Sequence, residues 1–224
     1  MPLGALLFDL DGTLIDSMPL HGSAWERWHA ERNLPFDHDA FFAATAGRTN
    51  EEILPGLLPQ AGAQELQQAA QRKEALYREI AAQSLALIDG FAALHRQARA
   101  QGLKLAICTA APLENIAVAD ARFGLNAMMD TVVSPADGLR GKPHPDIFLE
   151  AARRLGVAPA HCVVFEDAPL GVEAARRAGM RAVALTTTMS AAEFSAYDNV
   201  VAAIPDFSGF LLSALGGQPE RETP

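Results

Sequence analysis

Acidic residues cluster at two points of the sequence, each at the end of an apolar run. Asp9, Asp11 and Asp16 lie in the stretch FDLDGTLIDS, and Glu166 and Asp167 end the run HCVVFED. Two unit charges about 4 Å apart repel by roughly 4 kcal/mol at an effective dielectric constant near 20. If the carboxylates meet in the fold, a bound cation would offset this repulsion. Mg²⁺ suits such oxygen ligands and commonly shares its remaining positions with water and substrate phosphate.

Two other residues could bind a phosphate group. Thr109 ends the run LKLAICT, where a strand is expected to lead into a helix. Its hydroxyl and the backbone N–H groups that follow could donate to phosphate oxygens. Lys142, in RGKPHPDIF, precedes a helix that opens with Pro145 and can supply a compact positive charge. Taken singly, Lys142 could also be an exposed loop residue, and Asp167 could be a helix N-cap.

The elements that must position these residues alternate between strands and helices. Short apolar runs suited to buried parallel strands are ALLFDL, LKLAICT, TVVS, CVVFED and RAVALTT. Three of the helical patterns between or after them open at a proline and close before a glycine: Pro112 and Gly124, Pro145 and Gly156, Pro169 and Gly179. This alternation predicts an α/β fold with a parallel sheet.

The predicted strands bring the candidate residues to one edge of the sheet. Asp9 follows the first strand, Thr109 the second, and Glu166 and Asp167 the fourth. Ligands of open parallel α/β sheets bind outside the carboxyl ends of the strands. We therefore expect these side chains to converge on one crevice, where the carboxylates would need a cation.

The segment 17–87 interrupts this alternation. It contains helical patterns, including ELQQAAQRKEALYREIAAQ, in which apolar residues recur at helical spacing, and it contains no convincing strand. We interpret it as a helical domain inserted into a core domain of residues 1–16 and 88–215. Residues 216–224 are polar and contain Gly and Pro, which predicts a disordered tail.

Composition excludes several classes of protein. The chain has 224 residues and a formal net charge of −9 without a basic cluster, which argues against a nucleic-acid partner. No apolar stretch is long enough for a membrane span, and the N-terminus lacks the features of a cleavable signal. Cys108 and Cys162 lie in apolar runs, which favours buried thiols in a reducing compartment. We expect a cytoplasmic monomer that binds neither nucleic acid nor membranes.

Four segments resemble the motifs of the haloacid dehalogenase-like (HAD) phosphohydrolases. They are DLDGTLIDS, Thr109 at the end of LKLAICT, GKPHPDIF and VVFEDAPLGVEAARRAGM, in the family's order and roughly at its spacing. The resemblance extends from Leu6 to about Thr188. The insert resembles the small cap domain of the β-phosphoglucomutase and phosphoglycolate phosphatase branch. The resemblance implies an α/β fold with a Rossmann-like parallel-sheet core and an inserted helical cap domain, residues 17–87.

The resemblance also assigns a role to each motif residue. Asp9 would be the nucleophile that forms an aspartyl-phosphate, and Asp11 would be the general acid and base. Thr109 and Lys142 would hold the transferring phosphoryl group. The implied Mg²⁺ ligands are Asp9, Asp11 through its backbone carbonyl, and Asp167, with Glu166 either on the metal or beside its ligands. Dehalogenases of the superfamily lack the second aspartate, so Asp11 favours phosphoryl transfer.

Four residues of the predicted cap are candidates for substrate binding. His21 opens the first cap helix, and the related branch often has a His at this position. Gly47, Arg48 and Asn50 lie in TAGRTNEEIL, which resembles the substrate loop of the cap. β-Phosphoglucomutases carry a Lys before this Gly and an Arg three positions after it, where this chain has Ala46 and Asn50. The difference favours a hydrolase over a mutase.

The sequence therefore predicts a Mg²⁺-dependent phosphatase that hydrolyses a small phosphorylated metabolite, such as a sugar phosphate, through an aspartyl-phosphate. One alternative is a hexose-phosphate mutase with the same aspartyl-phosphate chemistry. Another is a non-catalytic phosphate-binding module, although binding alone does not require Asp11 beside Asp9. The substrate itself stays open, because one fold carries many substrates.

Overall fold

The structure is a computed structural model, which describes residues 3–45 and 48–216. The chain forms two compact units. We call Ser17–Leu85 the helical unit, and the chain before and after it the sheet unit. Within the described ranges, no helix is long and apolar enough to cross a membrane.

The sequence predicts an inserted domain of residues 17–87, whereas the helical unit of the structure ends two residues earlier, at Leu85. The next residues belong to the sheet unit because their backbone pairs there. Leu87 forms an antiparallel bridge with Ile15, and the Ile88 N–H donates to the Leu14 carbonyl at 2.9 Å. Residues 217–224 of the predicted tail lie outside the described residues, as do Ala46 and Gly47 of the predicted substrate loop.

The described part of the helical unit consists of the following helices: α1 (Met18–Ala30), α2 (His38–Thr45), α3 (Asn50–Leu57) and α4 (Ala63–Ser84). Helices α1 and α4 pack together around Trp28, which is fully buried and donates its indole N–H to the Ala69 carbonyl at 3.0 Å. Buried indoles usually find such an acceptor, because an unpaired N–H is costly. At the start of α4, Glu65 accepts the Gly62 N–H at 2.9 Å.

The described strands of the sheet unit are β1 (Ala5–Phe8), β2 (Lys104–Cys108), β3 (Thr131–Val133), β4 (Cys162–Glu166), β5 (Arg181–Leu185) and β6 (Val200–Ile204). They form one parallel sheet in the order β3-β2-β1-β4-β5-β6. The first five strands lie in the predicted runs, and the predicted Rossmann-like α/β class is confirmed. Strand β6 was not predicted: it lies at the sheet edge, and it contains two alanines, which are weak strand formers.

The described helices of the sheet unit are α5 (Phe91–Ala100), α6 (Leu113–Phe123), α7 (Leu125–Met128), α8 (Asp146–Leu155) and α9 (Pro169–Arg177). Short 3₁₀ turns lie at Pro135–Asp137, Pro159–His161, Ala191–Phe194 and Leu212–Leu215. Prolines and glycines delimit the helices as predicted. Pro112 and Gly124 flank α6, and Pro145 and Gly156 flank α8. Both glycines adopt the left-handed conformation that commonly ends a helix.

Buried side chains on both faces of the sheet hold β1 in place. On one face, Phe8 stacks on Phe165 with ring centroids 4.9 Å apart and meets Phe91 edge-on at 5.6 Å. On the other face, Leu7 belongs to an apolar cluster that includes Phe148. Each such aromatic pair is worth roughly 0.5–1.5 kcal/mol beyond its burial. Since Asp9 directly follows Phe8, this packing fixes the backbone from which Asp9 projects.

Candidate active site

The strand register brings the predicted residues together at the carboxyl edge of the sheet. Phe8 of β1 lies opposite Ile107 of β2 and Phe165 of β4. Asp9 therefore continues β1 between the ends of its two neighbours, and its N–H still donates to the Phe165 carbonyl at 3.0 Å. The expected convergence of β1, β2 and β4 at one edge is thus observed.

Lys142 connects two of the carboxylates. Its Nζ lies 2.5 Å from Asp9 Oδ1 and also donates to Glu166 Oε1. All three side chains are almost completely buried. Burial alone would lower the pKa of Lys142, but the negative charges of Asp9 and Glu166 outweigh it and raise that pKa above its ordinary value. Lys142 therefore stays positively charged at this edge of the sheet.

Glu166 has protein partners for both carboxylate oxygens. Oε1 accepts from Lys142, and Oε2 accepts the Ala168 N–H at 3.0 Å. The side chain packs directly over Gly171 of α9, where any Cβ atom would collide with the carboxylate. Glu166 is one of the four predicted metal ligands, and its carboxylate is oriented toward Lys142 and the Ala168 N–H.

Asp167 is oriented by two threonine hydroxyl groups. Thr13 donates to its Oδ1 at 3.2 Å, and Thr188 donates to its Oδ2. Burial raises the pKa of Asp167 to about 7, and the nearby charge of Glu166 adds to this effect. Thr13 lies in the turn after β1, so this bond joins that turn to the residue that follows β4. Gly12, with φ of +73°, leaves room for the Asp167 carboxylate.

A tight turn after β1 fixes Asp11. The N–H groups of Leu14 and Ile15 donate to the Leu10 carbonyl at 2.9 and 3.0 Å, and the Gly12 N–H donates to the Ile15 carbonyl at 2.9 Å. Asp11 is half-buried, whereas Asp9 is buried. Two carboxyl groups two residues apart thus occupy different environments, as a nucleophile and an acid catalyst would require.

Thr109 lies at the end of β2 and is buried. Its N–H donates to the Val133 carbonyl at 3.1 Å, and its hydroxyl oxygen accepts the Ala111 N–H at 2.9 Å. The hydroxyl proton is a separate donor, which a phosphate oxygen could accept. The position of Thr109 at the end of β2 is compatible with phosphate binding. Phosphate binding by Thr109 stays a prediction.

A family model for haloacid dehalogenase-like hydrolases matches residues 3–179. The chain belongs to the haloacid dehalogenase-like hydrolases. This confirms the predicted family and, at the level of enzyme class, the predicted HAD-like phosphomonoester hydrolase.

Individual relatives match most of this HAD-like hydrolase. The fructose-1-phosphate phosphatase of Escherichia coli (strain K12) is 34% identical over 188 residues, which cover 80% of this chain and 94% of that protein. The β-phosphoglucomutase of Bacillus subtilis (strain 168) is 31% identical over 187 residues, covering 80% and 81% of the two chains. Among solved structures, a family IA HAD hydrolase from Entamoeba histolytica has a TM-score of 0.88 and 30% identity, covering 95% and 97% of the two chains.

The oxygen atoms of this site could hold Mg²⁺. Within residues 3–45 and 48–216, no group of three or more Asp, Glu, His or Cys side chains is arranged to hold a metal by itself. Mg²⁺ needs fewer, because one or two carboxylates with water and substrate phosphate suffice. The predicted set consists of Asp9, Asp167 and the Asp11 carbonyl, and its metal-binding role stays a prediction. Burial raises the pKa of both carboxylates, and a divalent cation would compensate their charges.

In the helical unit, His21 is part of a polar network. Its Nδ1 lies 2.7 Å from Lys73 Nζ, and its ring stacks on Tyr77 with centroids 3.9 Å apart. Lys73 is buried and pairs with Glu74 at 2.8 Å, and the Asn50 amide donates to the same Glu74 oxygen at 2.8 Å. Two predicted substrate residues, His21 and Asn50, therefore share one network.

Arg48 is a third predicted substrate residue, and its hydrogen-bond partner differs from those of His21 and Asn50. The Arg48 guanidinium donates to the Glu52 carbonyl at 2.5 Å and so folds back on the first turn of α3. Gly47 lies outside the described residues. Substrate contact by any of the four residues stays a prediction.

The sequence analysis did not single out Thr188 and Gly171, which shape this site. Thr188 donates to Asp167, and Gly171 leaves the space that the Glu166 carboxylate occupies. Lys73, in the network of the helical unit, was not singled out either. Thr188 had a signal: it ends a threonine run directly after a predicted strand, at the carboxyl edge of the sheet. Gly171 lay within a recognised motif, but its contact with Glu166 depends on how α9 leaves β4.

Proposed function

We propose that this HAD-like hydrolase is a Mg²⁺-dependent phosphatase of small phosphorylated metabolites, most of all sugar phosphates, and that it works through an aspartyl-phosphate on Asp9. The observation that carries the proposal is the buried Asp9 carboxylate held by Lys142 at 2.5 Å, with Asp11 two residues further on. The relatives named as a sugar-phosphate phosphatase and a sugar-phosphate mutase support this substrate class.

The first chemical step transfers the phosphoryl group to Asp9. An Asp9 oxygen attacks phosphorus, the bond between phosphorus and the ester oxygen breaks, and Asp11 gives its proton to the departing oxygen. In the second step Asp11 takes a proton from water, the water oxygen attacks phosphorus, and the bond between phosphorus and the Asp9 oxygen breaks. This releases inorganic phosphate and restores the Asp9 carboxylate. One residue thus serves as the acid of the first step and the base of the second.

Charge stabilisation is the main task of the protein in phosphoryl transfer. Lys142 stays protonated beside Asp9 and can bind a phosphoryl oxygen, and the Thr109 hydroxyl can donate to another. Asp9, Asp167 and the Asp11 carbonyl would hold Mg²⁺, which supplies further positive charge against the phosphoryl group when bound. Glu166 keeps Lys142 in place through its second contact.

The helical unit would serve as the cap domain and supply substrate contacts. His21, Gly47, Arg48 and Asn50 remain the residues proposed for this role. The Asn50 amide is neutral and already donates to Glu74, so position 50 presents no positive charge for a second phosphate. A cytoplasmic location and a monomeric state also remain predictions.

A mutase of the β-phosphoglucomutase type is the second candidate, because one such enzyme is 31% identical to this chain. A mutase must protect the aspartyl-phosphate from water until a sugar hydroxyl accepts the phosphoryl group. Ala46 and Asn50 replace the Lys and Arg expected of such enzymes, which favours the phosphatase. A non-catalytic phosphate-binding module is disfavoured, since it would need neither Asp11 nor the Asp9 and Lys142 pair.

Turnover of p-nitrophenyl phosphate with Mg²⁺, with excess EDTA, and with Mg²⁺ restored tests the proposal. We expect hydrolysis that EDTA abolishes and Mg²⁺ recovers. Full turnover in excess EDTA would contradict the metal requirement. A panel of sugar phosphates, followed by phosphorus NMR, then separates the candidates. A phosphatase releases inorganic phosphate as fast as substrate disappears, whereas conversion of a hexose 1-phosphate to its 6-phosphate would establish the mutase.

A further inference from the structure

Three consecutive threonines follow β5, and each hydroxyl donates to a different part of the sheet unit. Thr186 donates to the Ile204 carbonyl of β6 at 3.3 Å. Thr187 donates to the Gly12 carbonyl at 2.5 Å, and Thr188 donates to Asp167 Oδ2. The Thr187 and Thr188 hydroxyls therefore bond the turn that contains Asp11 and the Asp167 carboxylate. The Thr186 hydroxyl bonds a neighbouring strand instead.

Thr188 orients Asp167 without cancelling its charge. A carboxylate has about four lone-pair directions, so the donors Thr13 and Thr188 do not occupy all of them and a cation can bind at the rest. A hydroxyl is a neutral donor, so it does not offset the negative charge of the ionised Asp167 carboxylate. Glu166, in contrast, is paired with the positive charge of Lys142. Thr188 lies where it can hold the Asp167 carboxylate in one rotamer.

The Asp11 turn is fixed by the same segment. The Gly12 N–H donates to the Ile15 carbonyl at 2.9 Å, and the Gly12 carbonyl accepts from Thr187. Because the peptide is planar and trans, fixing the Gly12 N–H points the Asp11 carbonyl in the opposite direction. Gly12 also allows the close approach of Thr188, whose Oγ1 would lie 2.9 Å from any added Cβ.

We propose that Thr188 is a positioning residue for Mg²⁺, which acts by holding the Asp167 carboxylate in the orientation that binds the metal. This inference rests on the proposed function, since it assumes that Asp167 is a metal ligand. Loss of a hydrogen-bond partner behind a metal ligand typically costs about 10–100-fold in metal affinity or activity. The Thr188→Val variant keeps the side-chain shape and removes only the donor, so it should weaken Mg²⁺ binding by about this factor.

Calorimetric titration of the full chain with Mg²⁺ alone measures this affinity directly, without substrate. We expect the Mg²⁺ dissociation constant of Thr188→Val to rise by about 10–100-fold. Thr188→Ser should stay close to the wild type because it keeps the donor. Thr186→Val is the matched control, since its hydroxyl donates to the β6 carbonyl at a distance from the carboxylates, and it should leave the constant unchanged. The Mg²⁺ concentration that half-activates p-nitrophenyl phosphate turnover should follow the same order.

Three results with the variants would overturn the inference. One is a Thr188→Val constant equal to that of the wild type. Another is an equal rise in Thr188→Val and Thr186→Val, which would indicate a general disturbance of the segment. The third is a Thr188→Ser dissociation constant as high as that of Thr188→Val. Thermal melts without metal would show whether either variant has lost affinity because it is unfolded. Wild-type protein that binds no Mg²⁺ would overturn the proposed metal dependence itself, and the role of Thr188 with it.

Discussion

Asp9 and Asp16 come from the same N-terminal stretch, but the structure gives them different surroundings. Asp9 is buried and lies 2.5 Å from Lys142, whereas the Asp16 side chain is exposed. Only Asp9 therefore carries the cost of desolvation, which Lys142 partly offsets. Asp16→Asn is therefore a suitable control for Asp9→Asn, because it makes the same substitution in the same short segment at an exposed side chain.

The first prediction concerns the nucleophile. Asp9→Asn should lower phosphatase turnover by on the order of 10³-fold or more, because an amide cannot form the aspartyl-phosphate. Steady-state phosphate release and labelling with a radioactive phosphoryl donor would measure both consequences. Asp16→Asn should keep turnover and labelling at the wild-type level. Labelling of Asp9→Asn at that level would show that another residue is the nucleophile.

The second prediction concerns Asp167 and pH. Its folded-state pKa is raised to about 7, above the value near 3.9 expected when unfolded. Between these values the folded state binds more protons than the unfolded state, so metal-free stability should fall as pH rises through this window. Mg²⁺ requires the ionised carboxylate, so the stabilisation by Mg²⁺ should grow over the same window.

Thermal melts at pH 5.5 and pH 8, with and without Mg²⁺, check this second prediction. The metal-free Tm should be higher at pH 5.5, and the increase on adding Mg²⁺ should be larger at pH 8. Asp167→Asn serves as the control, since it cannot ionise and should reduce both effects. Burial also raises the pKa of Asp9, which accounts for the part that remains. An Mg²⁺-induced increase that is the same at both pH values would contradict the prediction.

At the scale of elements, the approach of α9 to the end of β4 decides how Glu166 is held. Gly171 lies in the first turn of α9, and the Glu166 carboxylate occupies the space that a side chain would need. The carboxylate can then bond both Lys142 and the Ala168 N–H. The glycine is needed for this close approach of a helix to a strand end.

The third prediction follows from this contact. Gly171→Ala should displace Glu166, weaken its hold on Lys142 and reduce turnover at least about tenfold, with a loss of roughly 1–3 kcal/mol in unfolding free energy from overpacking. Chemical denaturation and steady-state kinetics would measure the two effects. Gly56→Ala is the control, because Gly56 lies in α3 with no atom within 4 Å of an added Cβ. If both variants behaved alike, the Glu166 contact would not matter.

At the scale of the whole molecule, the helical unit is an insertion whose two ends meet in the sheet unit. The Asp16 N–H donates to the Ala86 carbonyl at 2.9 Å. A linker of a few residues could therefore replace Ser17–Leu85 at a small cost in loop closure. The residues proposed for chemistry all belong to the sheet unit: Asp9, Asp11, Thr109, Lys142, Glu166 and Asp167.

The fourth prediction uses this division. A variant with a short Gly-Ser linker in place of Ser17–Leu85 should still hydrolyse p-nitrophenyl phosphate, but it should lose its preference among sugar phosphates. Turnover across the same substrate panel would measure the change, and circular dichroism would check the fold. The same deletion with Asp9→Asn should be inactive. An unchanged order of sugar-phosphate preference would argue against the helical unit as the domain that selects substrate.

The amino-acid sequence by itself determined the first five strands, the helices that Pro and Gly delimit, and most of the residues at the carboxyl edge of the sheet. Hydrophobic runs, Pro112 with Gly124 and Pro145 with Gly156 are local signals, and local signals are enough to delimit buried strands and capped helices. Parallel strands then bring their ends to one edge, so Asp9, Thr109 and Asp167 could be placed together before any coordinates were known.

Only the tertiary structure decided which partner each of these side chains has. Thr13 and Asp167 are separated by 154 positions in the chain, and nothing local in the sequence pairs them. The same holds for Thr188 and Asp167, for Gly171 under the Glu166 carboxylate, and for the edge strand β6 with its alanines. Such contacts depend on how elements approach one another, and packing settles that approach through side-chain shape over long chain separations.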